Sequence, residues 1–531
     1  MRVTPLSLFR TVSRCPRTRA ILPRAVQYGI RWLSSSSERQ WSTPLAKSLA
    51  EAITTTGPIP VAAYMRQCLT NSEGGYYTRQ TTGHDQFGAK GDFITSPEIS
   101  QVFGELVGIW LYTEWIAQGR RGNVQVIEVG PGRGTLMADV LRTISTFKAF
   151  AKSIETIYLI EASPHLREQQ AKLLAENVQL KETDSDMGIA GWSAPSKHIT
   201  GCNVIWCEDI RFVPKKETET PFILAHEFFD ALPIHVFQNI SSSNIPVASK
   251  IITPTGSITP KHPTQPPRNQ WHELMVFPTP SPSLSSTTAP SSSKAEVEEF
   301  QLTVSKTPTP HSLYLPHTSP RYKALSNTPN TIIEISPESL SYVSDFAVRI
   351  GGSSPPSTIT SPSSSPTTPP FSKPTPSGAA LILDYGTLNT IPANTLRGIR
   401  SHRPCSPFIS PGLVDLSADV DFLALAESAL SASPNIEVHG PVEQSFFLST
   451  MGIKERAERL VRAAKEGHRL GQGKVDTENV KETVKRLEGG WKRLVDRGPT
   501  GMGRIYKAMA IVPYNEKVVR RPVGFGGDIV A

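Results

Sequence analysis

Val126-Ile127-Glu128-Val129-Gly130-Pro131-Gly132-Arg133-Gly134-Thr135-Leu136 decides how this chain is read. A short apolar strand, Val124–Val129, runs into glycines at every second position. An amphipathic helix follows over Gly134–Ile144, with Leu136, Val140, Leu141 and Ile144 on one side. Glycines let the backbone turn sharply and approach a ligand with no Cβ in the way. The helix behind them offers free N–H groups to a negatively charged group. A dinucleotide fingerprint needs a third glycine or alanine in the spacing G-x-G-x-x-G/A. Counted from Gly130, that position falls on Thr135, and Glu128 stands two residues before the first glycine. The pattern is G-x-G-x-G behind an acid.

Outward from this turn, short apolar runs at Thr156–Ile160, Val204–Cys207 and Phe222–Ala225 read as strands. Leu381–Asp384 reads as a further buried strand and Tyr506–Val512 as a closing one. Upstream, Gly57-Pro58-Ile59-Pro60 opens a helix through about Leu69, with Pro60 tolerated in its first turn, and an aromatic-rich helix spans Ser100–Gln118. Lys454–Arg497 carries many charges at helical spacing, the mark of a solvated helix face. Strands alternating with helices give an α/β fold with a mostly parallel sheet covered on both faces.

Composition narrows the function classes. The formal net charge is +8, but residues 1–37 hold seven arginines and no Lys, Asp or Glu, leaving about +1 for the rest. The basicity is mostly a leader, so no nucleic-acid partner is expected. That leader mixes arginines with apolar and hydroxyl residues and is free of acids before Glu38, as mitochondrial transit peptides are. The five cysteines are scattered and odd in number, against a disulfide framework. Cys202 and Cys207 are separated by four residues with no second pair, so their spacing supports no zinc site. No metal is assigned, and His84 and His402 receive no role. The longest apolar run, Val102–Ile116, contains Glu105 and Glu114, so no membrane span is expected. Two stretches, 278–293 and 353–377, are almost entirely Pro, Ser and Thr and read as disordered insertions. Residues 253–270 are a looser version.

The glycine turn behind Glu128 resembles motif I of class I S-adenosylmethionine-dependent methyltransferases, whose sheet is Rossmann-like. That ligand presents an ammonium and a carboxylate close together and no pyrophosphate, so an acid beside the glycines suits it. Glu161 closes the next strand, where a carboxylate accepts ribose hydroxyls, and Asp209 after the third strand is placed to accept from an adenine amino group. Taken singly, either acid also reads as a helix cap or a solvated turn. The fourth strand leads into His226-Glu227-Phe228-Phe229-Asp230-Ala231-Leu232-Pro233. Glu227 and Asp230 flank two aromatic rings at the carboxyl edge of the sheet, and a carboxylate pair holds a guanidinium in bidentate geometry. The bland reading of that run is a capped helix start with two core phenylalanines.

Several separated segments are similar to one family. Gly91-Asp92-Phe93-Ile94-Thr95-Ser96-Pro97-Glu98-Ile99-Ser100, Glu128–Gly134, Glu227–Pro233, Asp384-Tyr385-Gly386, Thr395-Leu396-Arg397, Asp415–Phe422 and Gly440–Gln444 resemble the mitochondrial protein arginine methyltransferase family of complex I assembly factor 7 and the MidA proteins. The resemblance runs from about Gly57 to about Val512, apart from the insertions. It implies a matrix enzyme making symmetric dimethylarginine on a core peripheral-arm subunit of respiratory complex I. It also implies that Gly130, Gly132 and Gly134 line the cofactor with Glu128 behind them. Thr95 and Pro97 would belong to a segment over the cofactor, and Glu227 and Asp230 would face the acceptor. His226 stands where the family pattern has Asn. The organisation expected is a transit peptide over 1–37 and a helical region with the cofactor-covering segment over 38–118. A methyltransferase domain follows over 119–512, then a tail over 513–531. Two other readings compete: an assembly chaperone that binds S-adenosylmethionine without catalysis, and a nicotinamide-dependent reductase, against which Thr135 counts.

Overall fold

A computed structural model describes residues 39–79, 88, 91–177, 180–184, 190–241, 251–253, 256–258, 269–280, 297–354, 371–470, 477–516 and 520–526. Seven strands build the central sheet in chain order: β1 Val124–Val129, β2 Ile154–Ile160, β3 Asn203–Cys207, β4 Thr220–His226, β5 Ala379–Thr387, β6 Ile436–Glu443 and β7 Tyr506–Pro513. Their spatial order is β3-β2-β1-β4-β5-β7-β6. β3 through β5 run parallel, and β7 lies antiparallel between β5 and β6. This is the class I methyltransferase sheet. A hairpin, Lys181–Asp184 and Ala190–Pro195, extends it beyond β3. Every residue of β1 and β4 is buried, because parallel strands are covered on both faces and need continuous apolar runs.

Helices α1 Gln101–Ala117, α2 Thr135–Ile144 and α3 Pro164–Leu174 cover one face, and α4 Pro337–Gly351 with the Phe422–Ala432 helix covers the other. α1 lies so close on α2 that a Cβ at Gly104 would sit 2.5 Å from Asp139 Cβ. The chain leaves the sheet after β4 to build a second, antiparallel sheet from His235–Ile240, Gln270–Pro278, Phe300–Val304 and Ile332–Ile335, with Ile59–Pro60 at its margin. It returns through α4 to β5.

The strands expected from the sequence are present, Val124–Val129 with the expected bounds and the other five a residue or more longer. Ile59–Pro60 pairs as a short strand before the Val61–Thr70 helix, and the charged stretch forms two helices, Ile453–Leu470 and Thr477–Val495. Residues 1–37, most of 278–293 and residues 355–370 lie outside the described residues. Part of the second expected insertion is ordered. Lys373 is buried and its ammonium donates to the carbonyls of Arg349 (2.6 Å), Glu219 (2.9 Å) and Ser377 (3.2 Å), so three backbone acceptors replace its water. Part of the tail is packed as well: Trp110 Nε1 donates to the Val523 carbonyl at 3.1 Å, and Arg520 pairs with the buried Glu114. Among the described residues no helix is long and apolar enough to cross a membrane.

Candidate active site

A cavity of about 670 Å³ opens at the carboxyl ends of β1, β2, β4 and β5. Two groups of side chains line it. The first surrounds the glycine turn. Gly130, Gly132 and Gly134 all have positive φ (+64°, +53° and +83°), a region that costs an L-residue strain. Gly130 and Gly132 line the cavity, whereas Gly134 sits behind the wall and opens α2. Glu128 is buried with Oε2 lacking any partner, and burial pushes its carboxyl up to about 8. Glu161, at the end of β2, accepts from Ser163 N at 2.8 Å and from Gln170 Nε2 at 3.2 Å; burial outweighs these bonds and lifts it to about 7.

Thr95 and Pro97 lie on the cavity wall at the start of the short Ser96–Ile99 helix. Glu98 in that helix accepts from Arg133 of the glycine turn at 3.2 Å, tying the covering segment to the turn beneath it. Asp209 is off the wall. It pairs with Arg211 at 2.9 Å, which holds its carboxyl below the usual range against the opposing effect of burial. Its neighbour Glu208 faces the cavity instead.

The second group gathers around the end of β4. Glu227 is held at φ +48°, an uncommon conformation for a non-glycine residue that turns its side chain into the cavity. Its amide donates to the Leu383 carbonyl at 2.9 Å, and its Oε1 accepts from Ser96 N at 3.4 Å. The next two amides, Phe228 and Phe229, both donate to Asp384 Oδ2, at 3.1 and 2.9 Å. A buried carboxylate on β5 thus fixes the turn that presents both acids. The Tyr385 hydroxyl donates to Asp230 Oδ2, while Asp230 Oδ1 is buried without a partner. The Arg397 guanidinium lies 4.8 Å over the Tyr385 ring and pairs with Asp419 at 2.7 Å, and Tyr77 donates to Asp415 at 2.9 Å. Burial, then the charges of Asp230 and Asp384, raise the Glu227 carboxyl well above its ordinary value. Asp230 is raised by burial, with Tyr385 and Arg397 opposing. His226, its Nε2 3.3 Å from Glu227 Oε1, is driven down to about 3 by burial and is neutral.

A family profile described as an S-adenosyl-L-methionine-dependent methyltransferase matches residues 106–442. The Drosophila melanogaster protein arginine methyltransferase NDUFAF7 homolog, mitochondrial, is 32% identical over 480 residues, spanning 90% of this chain and 87% of that protein. Human protein arginine methyltransferase NDUFAF7, mitochondrial, is 32% identical over 476 residues, spanning 89% and 84%. This chain belongs to the NDUFAF7/MidA family. A Burkholderia thailandensis superfamily member bound to S-adenosyl-homocysteine shares the fold, with a TM-score of 0.57 at 19% identity over 92% of this chain and 93% of that one.

The cofactor of the NDUFAF7/MidA chain is S-adenosylmethionine, and the first group of residues fits it. An orphaned carboxylate oxygen on Glu128 sits beside an open glycine turn, ready for a cationic amino group, and Glu161 stands one strand over and lines the same cavity. Gln170 was not singled out in the sequence. Its Nε2 bridges the Gly132 carbonyl (2.7 Å) and Glu161, and its Oε1 accepts from Trp206 Nε1 at 2.9 Å. Asp384, Tyr385, Arg397, Asp415 and Asp419 lay in segments that carried the family likeness, but had no role until the fold brought them beside Glu227 and Asp230. Tyr77 had no sequence signal at all.

Proposed function

We propose that this protein is a mitochondrial protein arginine N-methyltransferase. It makes symmetric dimethylarginine in the matrix on a core peripheral-arm subunit of respiratory complex I, supporting assembly or stability of that complex. On this reading residues 1–37 are its import leader. The carrying observation is the pairing of Glu227, its side chain 9% exposed, and the buried Asp230, two carboxyls on one turn that open into the same cavity as the glycine turn. The names of the Drosophila and human relatives support arginine as the acceptor, and the family likeness supports the complex I target.

S-adenosylmethionine supplies, when bound, a methyl group carried on a sulfonium. Gly130 and Gly132 would let the turn's backbone approach it closely, Glu128 and Glu161 would take its amino and hydroxyl groups, and Thr95 and Pro97 would cover it. Glu227 and Asp230 hold the two edges of the acceptor guanidinium, so the nucleophilic nitrogen faces the cofactor side of the cavity. Such positioning supplies up to ~7–11 kcal/mol of a barrier. The guanidinium nitrogen loses a proton as it is alkylated, and Glu227, whose carboxyl is raised by burial and by the charges of Asp230 and Asp384, accepts it. Phe228, packed against Gly130, excludes water from the junction of the two groups.

Mass spectrometry of arginine methylation on the complex I subunit, in cells carrying Gly132→Val at matched abundance, tests this reading. A β-branched residue at φ +53° closes the turn. Loss of dimethylarginine supports the enzyme. Persistence of the mark at wild-type level, with cofactor binding gone, transfers it to another enzyme and leaves this chain as an assembly chaperone.

A further inference from the structure

Away from the cavity, the second sheet gathers a different set of side chains. Glu273, on the Gln270–Pro278 strand, is fully buried. His235, on the paired His235–Ile240 strand, places Nδ1 2.6 Å from Glu273 Oε1. His311, in the short Pro310–Tyr314 helix, brings its Nδ1 to 4.0 Å from Glu273 Oε2, and the two imidazole rings are 4.2 Å apart. One nitrogen from each ring and one carboxylate oxygen all lie within 4.8 Å of one another. None of the three residues lines the methyltransferase cavity.

We infer that His235, Glu273 and His311 form a binding site for one divalent transition-metal ion of the zinc class. Two imidazoles and a carboxylate are a three-ligand set that leaves a fourth tetrahedral position to water. Imidazole donors favour zinc and its neighbours over magnesium or calcium, which prefer all-oxygen cages. Bonds of about 2.0–2.2 Å in a tetrahedron put donor atoms a little over ~3 Å apart. Donor atoms now up to 4.8 Å apart need to close by about 1.5 Å, and the 2.6 Å contact of His235 with the carboxylate's Oε1 to open by about 1 Å.

The surroundings suit an ion. The Thr309 hydroxyl donates to Glu273 Oε2, an outer contact of the kind that orients a ligating carboxylate. The Glu273 carbonyl accepts from Ser305 N at 2.8 Å, and Glu273 is in register with Phe237 on the neighbouring strand, so two of the three ligands stand on a fixed ladder. His311 is half exposed and provides the entry path. The fully buried Glu273 carboxylate brings a negative charge for a cation to neutralise.

The proton balance is simple. In the metal-free protein His235 shares a proton with Glu273. When the ion takes Nδ1, a neutral His235 keeps that proton on Nε2, and an imidazolium releases one to solvent. The ion would cross-link two strands of the second sheet and the Pro310–Tyr314 helix. His235 follows Asp230 by five residues, so the ion would fix the base of the loop that carries the acceptor-facing acids without touching the reaction.

The test is calorimetric titration of zinc sulfate into the full chain after exhaustive dialysis against a chelator, with thermal unfolding in parallel. The expected result is one ion per chain, a raised melting temperature, no heat from magnesium or calcium, and a cobalt derivative with a tetrahedral spectrum. His311→Ala removes an exposed ligand, so folding is retained; it should weaken zinc by at least ~10-fold and leave S-adenosylmethionine affinity unchanged. Equal zinc affinity in His311→Ala, or no stoichiometric zinc in the wild type, overturns the site and leaves His235–Glu273 as a hydrogen-bonded pair. Because cofactor affinity is read separately, failure here does not bear on the methyltransferase reading.

Discussion

Glu227→Gln separates what this carboxyl does for the reaction from what it does for the fold. The structure opposes an ionised Glu227: burial, Asp230 and Asp384 all raise its carboxyl. An amide of the same shape removes that repulsion. It still accepts from Ser96 N, and it suffers no more than Glu from φ +48°. The melting temperature should therefore hold or rise slightly, the behaviour of a site that trades stability for activity. A guanidinium, however, loses a charge-assisted partner worth about 1.5–3 kcal/mol, roughly 10- to 150-fold in kcat/KM, before any loss of a proton acceptor is counted. Initial rates of labelled methyl transfer to an arginine peptide would be read beside S-adenosylmethionine affinity by calorimetry. The reasoning is refuted by turnover within twofold of wild type, or by cofactor affinity falling in step with turnover, since either places Glu227 outside the acceptor site.

Three further outcomes follow from the same geometry. With folded-state values near 8 and 7, Glu128 and Glu161 contribute stability to the free protein that is complete below about pH 4.5 and is lost as pH rises through those values; a cationic ligand reverses the trend, so the melting-temperature gain from S-adenosylmethionine should grow between pH 6 and about 8.5, and Glu128→Gln should flatten its upper part. Tyr385→Phe removes the donor that lowers Asp230, so the acid limb of the pH–rate profile should move to higher pH; an unmoved limb would mean Asp230 does not titrate in the rate. Gly104→Ala forces a Cβ to 2.5 Å from Asp139 Cβ, and the overpacking cost of about 1–3 kcal/mol exceeds the ~1 kcal/mol gained in helix propensity, which differential scanning calorimetry would register as a lower midpoint.

Six of the seven central strands were legible because each carries a short, mostly apolar run, such as Val124–Val129 before Gly130 and Phe222–Ala225 within Thr220–His226, whereas β6, Ile436–Glu443, is broken by Glu437, His439, Gly440 and Pro441 and was not. The second sheet was not legible. Its Gln270–Pro278 strand contains His272 and Glu273 at buried positions, and polar residues that are satisfied by partners far along the chain break the alternation that marks a strand. The Ser305 carbonyl on His272 and the Thr309 hydroxyl on Glu273 could not be anticipated from spacing. The same limit applied in the site. Glu128 and Glu161 stood out because each ends a strand, and that position alone carries them to the ligand edge. Asp209 carried the same signal, yet the turn after β3 directs Glu208 to the cavity and Asp209 to Arg211; a strand end fixes where the chain turns, while the side chain's direction depends on one more dihedral. Tyr385 and Arg397 needed the pairing of β4 with β5 before they had neighbours at all.

The end of the cavity around β4 gathers four raised carboxyls, those of Glu227, Asp230, Asp384 and Asp415. Asp384 has a structural reason, three backbone N–H groups within 3.1 Å. Glu227 has only the Ser96 amide at 3.4 Å, and Asp230, held by the Tyr385 hydroxyl at Oδ2, keeps Oδ1 buried without a partner, while Arg397 also pairs with Asp419. A protein keeps such groups either neutral or beside a cation. On the proposed reading these raised carboxyls hold a proton more readily than a free carboxyl until the acceptor arrives. A guanidinium is charged at every working pH, so its entry displaces the proton, and the carboxylate that orients the substrate becomes, in the same event, a base ready to receive a proton from it. A lysine ammonium would bring equal charge but could not meet both Glu227 and Asp230 edge-on, because its donors diverge from a point whereas the guanidinium presents a planar fork. Preference for arginine over lysine then lies in the spacing of two acids on one strained turn, and the proton displaced on binding makes acceptor affinity, unlike that of a permanently ionised pocket, rise with pH.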